Sequence, residues 1–418
     1  MHTLAYWLQH WTAQHPREIV MGLERVRAVW RKLGAPSVAD IVITVAGTNG
    51  KGSTVAFVDS ILRAGGHRVG RYSSPHILRY SERIVIAGEE VSEADICAAF
   101  ARIDQARGEL ALTWFEAGTL AALLLFADAG LDAAVLEVGL GGRLDAVNII
   151  DADVAIITSI ALDHQDILGY GLAAIAYEKA GIARAGKPVV VAQPDPEPAL
   201  LDALQQIGAS VLRADVDYFV DHDVAAGHWQ LRSAQATLRL PMPPLPAPIQ
   251  LRNAAAAIFA VLQCARRLPM GDDDIGDGLS RTRLPGRLQQ ISMGPDVFVD
   301  VAHNPEAATA LRAWLGMHPY PTRAVFSALA DKDAVGIVGV LADVITHWHV
   351  CGLQAETPRG ASAEQVYAQL REAFPTLSMT AHDAPPSALA AARAQARSSE
   401  RILVFGSFHL IAAVSAGD

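Results

Sequence analysis

Apolar positions along this chain follow two alternating rhythms. Unbroken runs of Ile, Val, Leu and Ala, such as IVITVA at 41–46, AAVLEV at 133–138 and DVAIITSI at 153–160, have the length and β-branched content of buried parallel strands. Between them, apolar residues recur at helical spacing over 4–12, 22–33, 92–107, 117–129, 171–185, 196–207 and 251–268. His15-Pro16 breaks the first of these, Gly34 closes the second, and Ser92 with Asp95 caps the third. Shorter strands are expected at 69–74, 84–86 and 187–193. Residues 210–240 lose the helical period and read as short antiparallel strands, followed by an ordered proline-rich loop at 241–248. After a break at Leu284-Pro285-Gly286-Arg287 the rhythm restarts. Strands are expected at 296–301, 323–328, 343–352 and 401–405, and helices at 305–316, 333–342, 361–373 and 386–398. Alternation of strand and helix predicts an α/β chain with a mostly parallel sheet in each of two domains, 1–284 and 288–418.

The strand at 41–46 runs into Gly47-Thr48-Asn49-Gly50-Lys51-Gly52-Ser53-Thr54, and a helix follows with Val55, Val58, Ile61 and Leu62 on one face. Strand, glycine turn with one lysine, then helix is the plan of a phosphate-binding loop. Backbone N–H groups and the positive helix end face the phosphates, and Lys51 reaches the outer ones. An ordinary strand-to-helix turn has the glycines but no need of the lysine. The pattern G-x-x-x-x-G-K-[ST] is met at Gly50-Lys51 but not at Val45 or Gly52, so the hydroxyl that would meet a magnesium ion is displaced. Ser53, Thr54 or another segment must supply it.

Two further strand ends carry chemistry. Glu137 terminates a hydrophobic run and precedes Gly139-Leu140-Gly141-Gly142, as a metal-site carboxylate would, although a rim ion pair has the same local pattern. His164 follows the strand at 153–160, at the end where α/β sheets bind ligands; a capping histidine is the plainer alternative.

Composition narrows the class. The 418 residues exceed one ordinary core, and a hydrophobic content of 51% excludes a disordered chain. The formal charge of −10, without a basic block, argues against nucleic acid or a membrane surface as partner. The three cysteines are too far apart for a disulfide framework or a metal spacing, no signal-peptide pattern opens the chain, and no apolar run is long enough to cross a bilayer. A cytoplasmic protein acting on small molecules is expected.

The motifs GLERV (22–26), VAGTNGKGS (45–53), YSSPH (72–76), RYSERI (79–84), LTWFE (112–116), LEVGLGGRLDAVN (136–148), TSIALDH (158–164), EKAGI (178–182), LPGR (284–287), DVAHNP (300–305), DKD (331–333) and GSFH (406–409) together resemble bacterial folylpolyglutamate synthase in its bifunctional dihydrofolate synthase form, within the Mur ligase superfamily. The resemblance implies a P-loop ATPase domain of Mur ligase type and a smaller Rossmann-like C-terminal domain. It implies an ATP-dependent ligase, acting as a monomer, that adds L-glutamate to dihydropteroate and to reduced folates. By it, Thr48, Asn49, Gly50, Lys51, Gly52 and Ser53 hold ATP, with Asn253, Arg287, Asp300 and His303. Ser74, Glu137, His164 and Lys179 hold one or two Mg²⁺ ions, Lys179 as a carbamate, so the Ser of SSPH stands in where the loop has Gly52. Lys51, Glu137, His164 and Lys179 are then the catalytic set. Val20, Met21, Gly22, Leu23, Thr113, Trp114, Phe115, Glu116, Leu144 and Asp145 line the pterin site.

One departure falls on that last group. Bifunctional relatives often read I-D-L-G-L before E-R-V, whereas this chain has Val20 where they carry the acid. A folylpolyglutamate synthase without the dihydropteroate reaction is therefore the nearest alternative. A cell-wall Mur ligase is disfavoured, since only about forty residues precede the loop and leave no room for a UDP-binding domain. A nucleotide switch has no need of the second metal site.

Overall fold

The computed structural model describes residues 2–15, 20–223 and 227–415. Pro16, part of the expected helix break, and Ile19, ahead of Val20, lie outside them. The chain forms two compact units: one from the residues up to Pro244 together with Leu251–Thr282, the other from Leu245–Gln250 together with the chain from Arg283 onward.

Among the described residues, the main sheet of the first unit has eight strands: β1 Ile41–Ala46, β2 Val69–Tyr72, β3 Ile84–Ile86, β4 Glu89–Glu90, β5 Ala133–Glu137, β6 Val154–Ile157, β7 Pro188–Val191 and β8 Ser210–Arg213. Their spatial order is β4-β3-β2-β5-β1-β6-β7-β8, and only β3 and β4, at one edge, run antiparallel to their neighbours. Every residue of β1 and β5 is buried, which is why both read as continuous apolar runs. Alternate positions serve opposite faces: Val42, Ala46, Ala134 and Leu136 join a core with Trp11, Trp30, Phe100, Leu120 and Leu124. The register sets Val45 beside Glu137, so β1 delivers the glycine loop next to the acid that ends β5.

Residues 210–240 correct the expectation in part. β8 pairs parallel with β7 and extends the main sheet through the helix Pro198–Ile207. As a short, half-exposed edge strand it lacks the apolar run of the inner strands. Only β9 Tyr218–Asp223, β10 His228–Ser233 and β11 Thr237–Pro241 make the antiparallel sheet, where Trp229, Leu231, Leu238 and Leu240 alternate inward.

The helix expected at 117–129 starts earlier, at Trp114, because Thr113 and Glu116 form a capping box. The helix expected through residue 185 stops at Ala180, with Gly181 as its C-cap and packed closely on Arg143. A helix at Asp272–Arg281 was not expected; it buries Ile275 and Leu279, and its Gly278 fits tightly against the backbone of Ile61.

The second unit has β12 Gln289–Ser292, β13 Asp296–Asp300, β14 Thr322–Phe326, β15 Ile345–Cys351, β16 Met379–His382 and β17 Arg401–Phe405, in the order β12-β13-β17-β14-β15-β16. All neighbours are parallel except β12 with β13. Phe326, Trp348, Leu403 and Phe405 centre its core under the helices Pro305–Met317, Ala334–Leu341 and Ala363–Ala373.

Candidate functional site

The glycine loop is held from behind by the segment after β6. Thr48 N donates to Ser159 O (2.8 Å), and Asn49 N donates to Ser159 Oγ (3.2 Å). Thr158 Oγ1 donates to Asn49 O (2.6 Å), and Thr48 Oγ1 exchanges hydrogen bonds with the backbone of Ala161 (3.2 and 3.0 Å). Gly47 and Gly50 are there for conformation and space. Both have positive φ, +151° and +87°; a Cβ at Gly47 would collide with Thr158 Oγ1, and one at Gly50 would stand 2.7 Å from Asn253 Oδ1. Gly50 caps the helix Lys51–Ala64, whose first N–H groups are thereby left pointing out of the turn.

Two lysines converge on this loop. Lys51 Nζ donates to Gly47 O (3.0 Å) and Thr48 O (3.1 Å), while Lys179 Nζ, on the helix Leu172–Ala180, donates to Gly47 O (2.9 Å). Lys179 is buried, at 4% exposure. Its helix is fixed to the GLGGRLD turn by Arg143, which donates its backbone N–H to Glu178 O (2.7 Å) and its guanidinium to Glu178 Oε1 (2.7 Å). Asn148 Nδ2 ties the same turn to Gly181 O (3.0 Å).

Glu137 is buried, and its Oε2 accepts the backbone N–H of Ser74 (3.2 Å), so SSPH and the end of β5 lie together. Ser53 and Thr54 are fully enclosed and their hydroxyls have no hydrogen-bond partner among the described residues, whereas Ser74 is half-buried.

His164 takes a left-handed conformation (φ +51°) at the start of the short helix Gln165–Leu168, with Nε2 3.8 Å from Asp163 Oδ1. It is three residues beyond Ala161, which Thr48 holds. Among the described residues no three His, Cys, Asp or Glu side chains are placed to hold a metal ion together.

The residues expected around a pterin come together in the same unit. Gly22 N donates to Leu144 O (3.3 Å), and Met21 Cε and Leu168 approach Gly141. The Phe115 ring lies so close to Gly139 that a side chain there would collide with it. Asp145 accepts from Leu140 N (2.9 Å) and Val147 N (3.0 Å). Burial pushes its carboxyl up to about 6, against the pull of those N–H groups and of the Lys51 charge. Glu116 is occupied by the chain: it accepts from Thr113 N (2.7 Å) and from Arg25 Nη2 (2.7 Å).

In the C-terminal unit, Asp300 accepts from Leu288 N and Ala302 N (both 2.8 Å), fixing the turn that carries Arg287. Burial raises its carboxyl, with Arg287 pulling the other way. Arg287 and His303 both face Phe408, the guanidinium 5.7 Å and the imidazole 6.0 Å from its ring centre. LPGR, DVAHNP and GSFH are thus one cluster.

Sequence reasoning missed the Thr158 and Ser159 hydroxyls, Arg25, Phe408 and the Arg143–Glu178 pair. The first two had a signal, hydroxyls directly after a buried strand; the others pair residues distant in sequence.

Comparison with known proteins gives the following. Residues 45–261 match the Mur ligase middle domain, and residues 286–408 match the Mur ligase, glutamate ligase domain. The dihydrofolate synthase/folylpolyglutamate synthase of Escherichia coli is 45% identical over 417 residues, 98% of this chain and 94% of the relative. Among solved structures, E. coli FolC in complex with DHPP and ADP superposes with a TM-score of 0.92 at 43% identity, covering 100% of this chain and 97% of that one. A bifunctional folylpolyglutamate synthase/dihydrofolate synthase with Mn, AMPPNP and L-glutamate bound gives 0.91 at 42%, covering 100% and 98%.

Proposed function

The chain belongs to the Mur ligase family, in its dihydrofolate synthase/folylpolyglutamate synthase branch, and is an ATP-dependent ligase; from this premise we propose that it joins L-glutamate to dihydropteroate and to the γ-carboxylate of reduced folates through an acyl phosphate. The observation that carries the reading is the meeting of Lys51, Lys179 and the Ser74–Glu137 pair around one glycine loop, with the 20–23, 113–116 and 144–145 segments gathered in the same unit.

A carboxylate is a poor electrophile, so its oxygen first attacks the γ-phosphorus of ATP and ADP leaves. The glutamate amine then attacks the carbonyl carbon, loses a proton, and phosphate departs with its bonding pair. The chain supplies position and charge. The outward N–H groups of residues 50–53 bind phosphate oxygens, and Lys51 exchanges its loop carbonyls for the γ-phosphate. Thr158 and Ser159 keep the loop in shape.

Magnesium fits part of the donor set. Glu137 offers a carboxylate next to the backbone of Ser74, whose hydroxyl would be a second hard oxygen, and His164 an imidazole; such an ion, when bound, would neutralise phosphate charge. Lys179 does not fit as an ammonium and does fit as a carbamate, an oxygen donor. We therefore read it as carbamylated in the active enzyme. In the C-terminal unit, Arg287, Asp300 and His303 are read as nucleotide contacts. The three unpaired, buried thiols suit a reducing cytoplasm, and among the described residues no helix is long and apolar enough to cross a membrane.

The test is a substrate panel: purified protein with ATP, Mg²⁺ and glutamate is offered dihydropteroate or tetrahydrofolate, and products are identified by mass. Mass increments of one glutamyl residue on both are expected. No increment on either overturns the reading.

A further inference from the structure

We infer that Arg25 is a positioning residue of the pterin pocket, acting through the carboxylate of Glu116 and the carbonyl of Val20. This rests on the preceding reading for what the pocket holds.

Arg25 lies in the first turn of the helix Glu24–Lys32. Its Nη2 donates to Glu116 Oε1 (2.7 Å) and to Val20 O (3.2 Å), and its Nε points to Glu116 Oε2 (3.5 Å). That second oxygen already accepts the N–H of Thr113, 2.7 Å away. One guanidinium thus joins the strap at 20–23 to the start of the helix Trp114–Ala129, the two walls on which Met21 and Phe115 stand. The strap is tied on its other side to Leu144 by the N–H of Gly22.

Glu116 is 3% exposed, and both of its oxygens serve the chain. Through these two bonds it supports the pocket wall. Val20 has no polar side chain, so the strap is oriented through its carbonyl. A planar fork can hold a carboxylate and a carbonyl at once; an ammonium on a flexible stem is a point charge and cannot keep both directions.

The experiment compares wild type, Arg25→Lys and Glu116→Gln, which keep charge or shape and so avoid leaving a bare buried carboxylate. Binding of dihydropteroate is measured by equilibrium titration without ATP. KM is then measured for ATP, glutamate and the pteroate substrate, with a melting curve for each protein. Both variants are expected to weaken dihydropteroate binding and raise the pteroate KM about tenfold, as for a misplaced binding wall. The KM values of ATP and glutamate should stay within about twofold. Unchanged pteroate binding in both variants, or a rise of all three KM values in step with a drop in melting temperature, overturns the inference. A wild type that binds no pteroate overturns both it and the reading it rests on; a wild type that binds and turns over while the variants match it overturns the inference alone.

Discussion

Lys51 and Lys179, far apart in sequence, donate to the same acceptor, the carbonyl oxygen of Gly47, at 3.0 and 2.9 Å. Two ammonium groups on one carbonyl repel each other. Converting Lys179 to a carbamate, by attack of its neutral amine on CO₂ with loss of a proton, turns that repulsion into attraction and makes an oxygen donor. Lys179→Ala is expected to lower kcat about a hundredfold or more while leaving ATP binding in place, typical of a lost electrostatic contact in the transition state. Acetate or propionate at high concentration should restore part of the loss, and protein equilibrated with ¹³C-bicarbonate should show a carbamate carbon resonance. Full activity in Lys179→Ala contradicts the modification.

Lys51 opens the helix that follows β1, Glu137 ends the adjoining strand β5, and both are proposed to serve the phosphates. Lys51→Met and Glu137→Gln are each expected to reduce kcat/KM about a hundredfold, with nearly unchanged melting temperatures, because neither substitution opens a cavity in the core. Steady-state kinetics with calorimetry checks both; near-normal turnover in either variant removes that residue from the chemistry.

Much of this was legible in the chain because the site sits where buried strands end. IVITVA and AAVLEV announce β1 and β5 by composition, and the residues at their carboxyl ends, Gly47–Lys51 after β1 and Glu137 closing β5, inherit their position from the sheet. What was not legible depends on pairing at a distance. Nothing local in Thr158 says that its hydroxyl braces Asn49, and nothing in Glu116 says that Arg25 is its partner. β8 was misread because a half-exposed edge strand has no continuous apolar run, and no element was expected at Asp272–Arg281, where an acidic first turn complements the helix dipole.

The C-terminal unit should carry a pH dependence of its own. His349, fully buried on β15, meets His382 Nε2 through Nδ1 at 3.1 Å, and its Nε2 has no hydrogen-bond partner among the described residues. Burial holds its imidazole down to about 3, and the charges of His347, His382 and Arg323 act in the same direction. His347 and His382 are also lowered, chiefly by burial. A depressed folded pKa means that the unfolded chain binds the extra proton. Stability is then complete above about pH 6.5 and falls as pH drops toward 3, by up to about 1.4 kcal/mol per pH unit for His349. Urea unfolding as a function of pH should show this slope, and His349→Phe should flatten it. An unchanged acid slope in that variant contradicts the assignment.

Val20 bears on which acceptors are used. Dihydropteroate and tetrahydrofolate are both expected to be glutamylated, and Val20→Asp should raise kcat/KM for dihydropteroate more than for tetrahydrofolate. Parallel kinetics on the two acceptors decide this. Product from tetrahydrofolate alone in the wild type makes the enzyme a folylpolyglutamate synthase only.

The central claim is that this glycine loop activates a pteroate or folate carboxylate for attack by glutamate. Release of ADP and phosphate is measured with every combination of ATP, L-glutamate and the pteroate acceptor. Stoichiometric ADP and amide product are predicted only when all three are present; comparable ATP hydrolysis with neither acceptor nor glutamate would contradict the account.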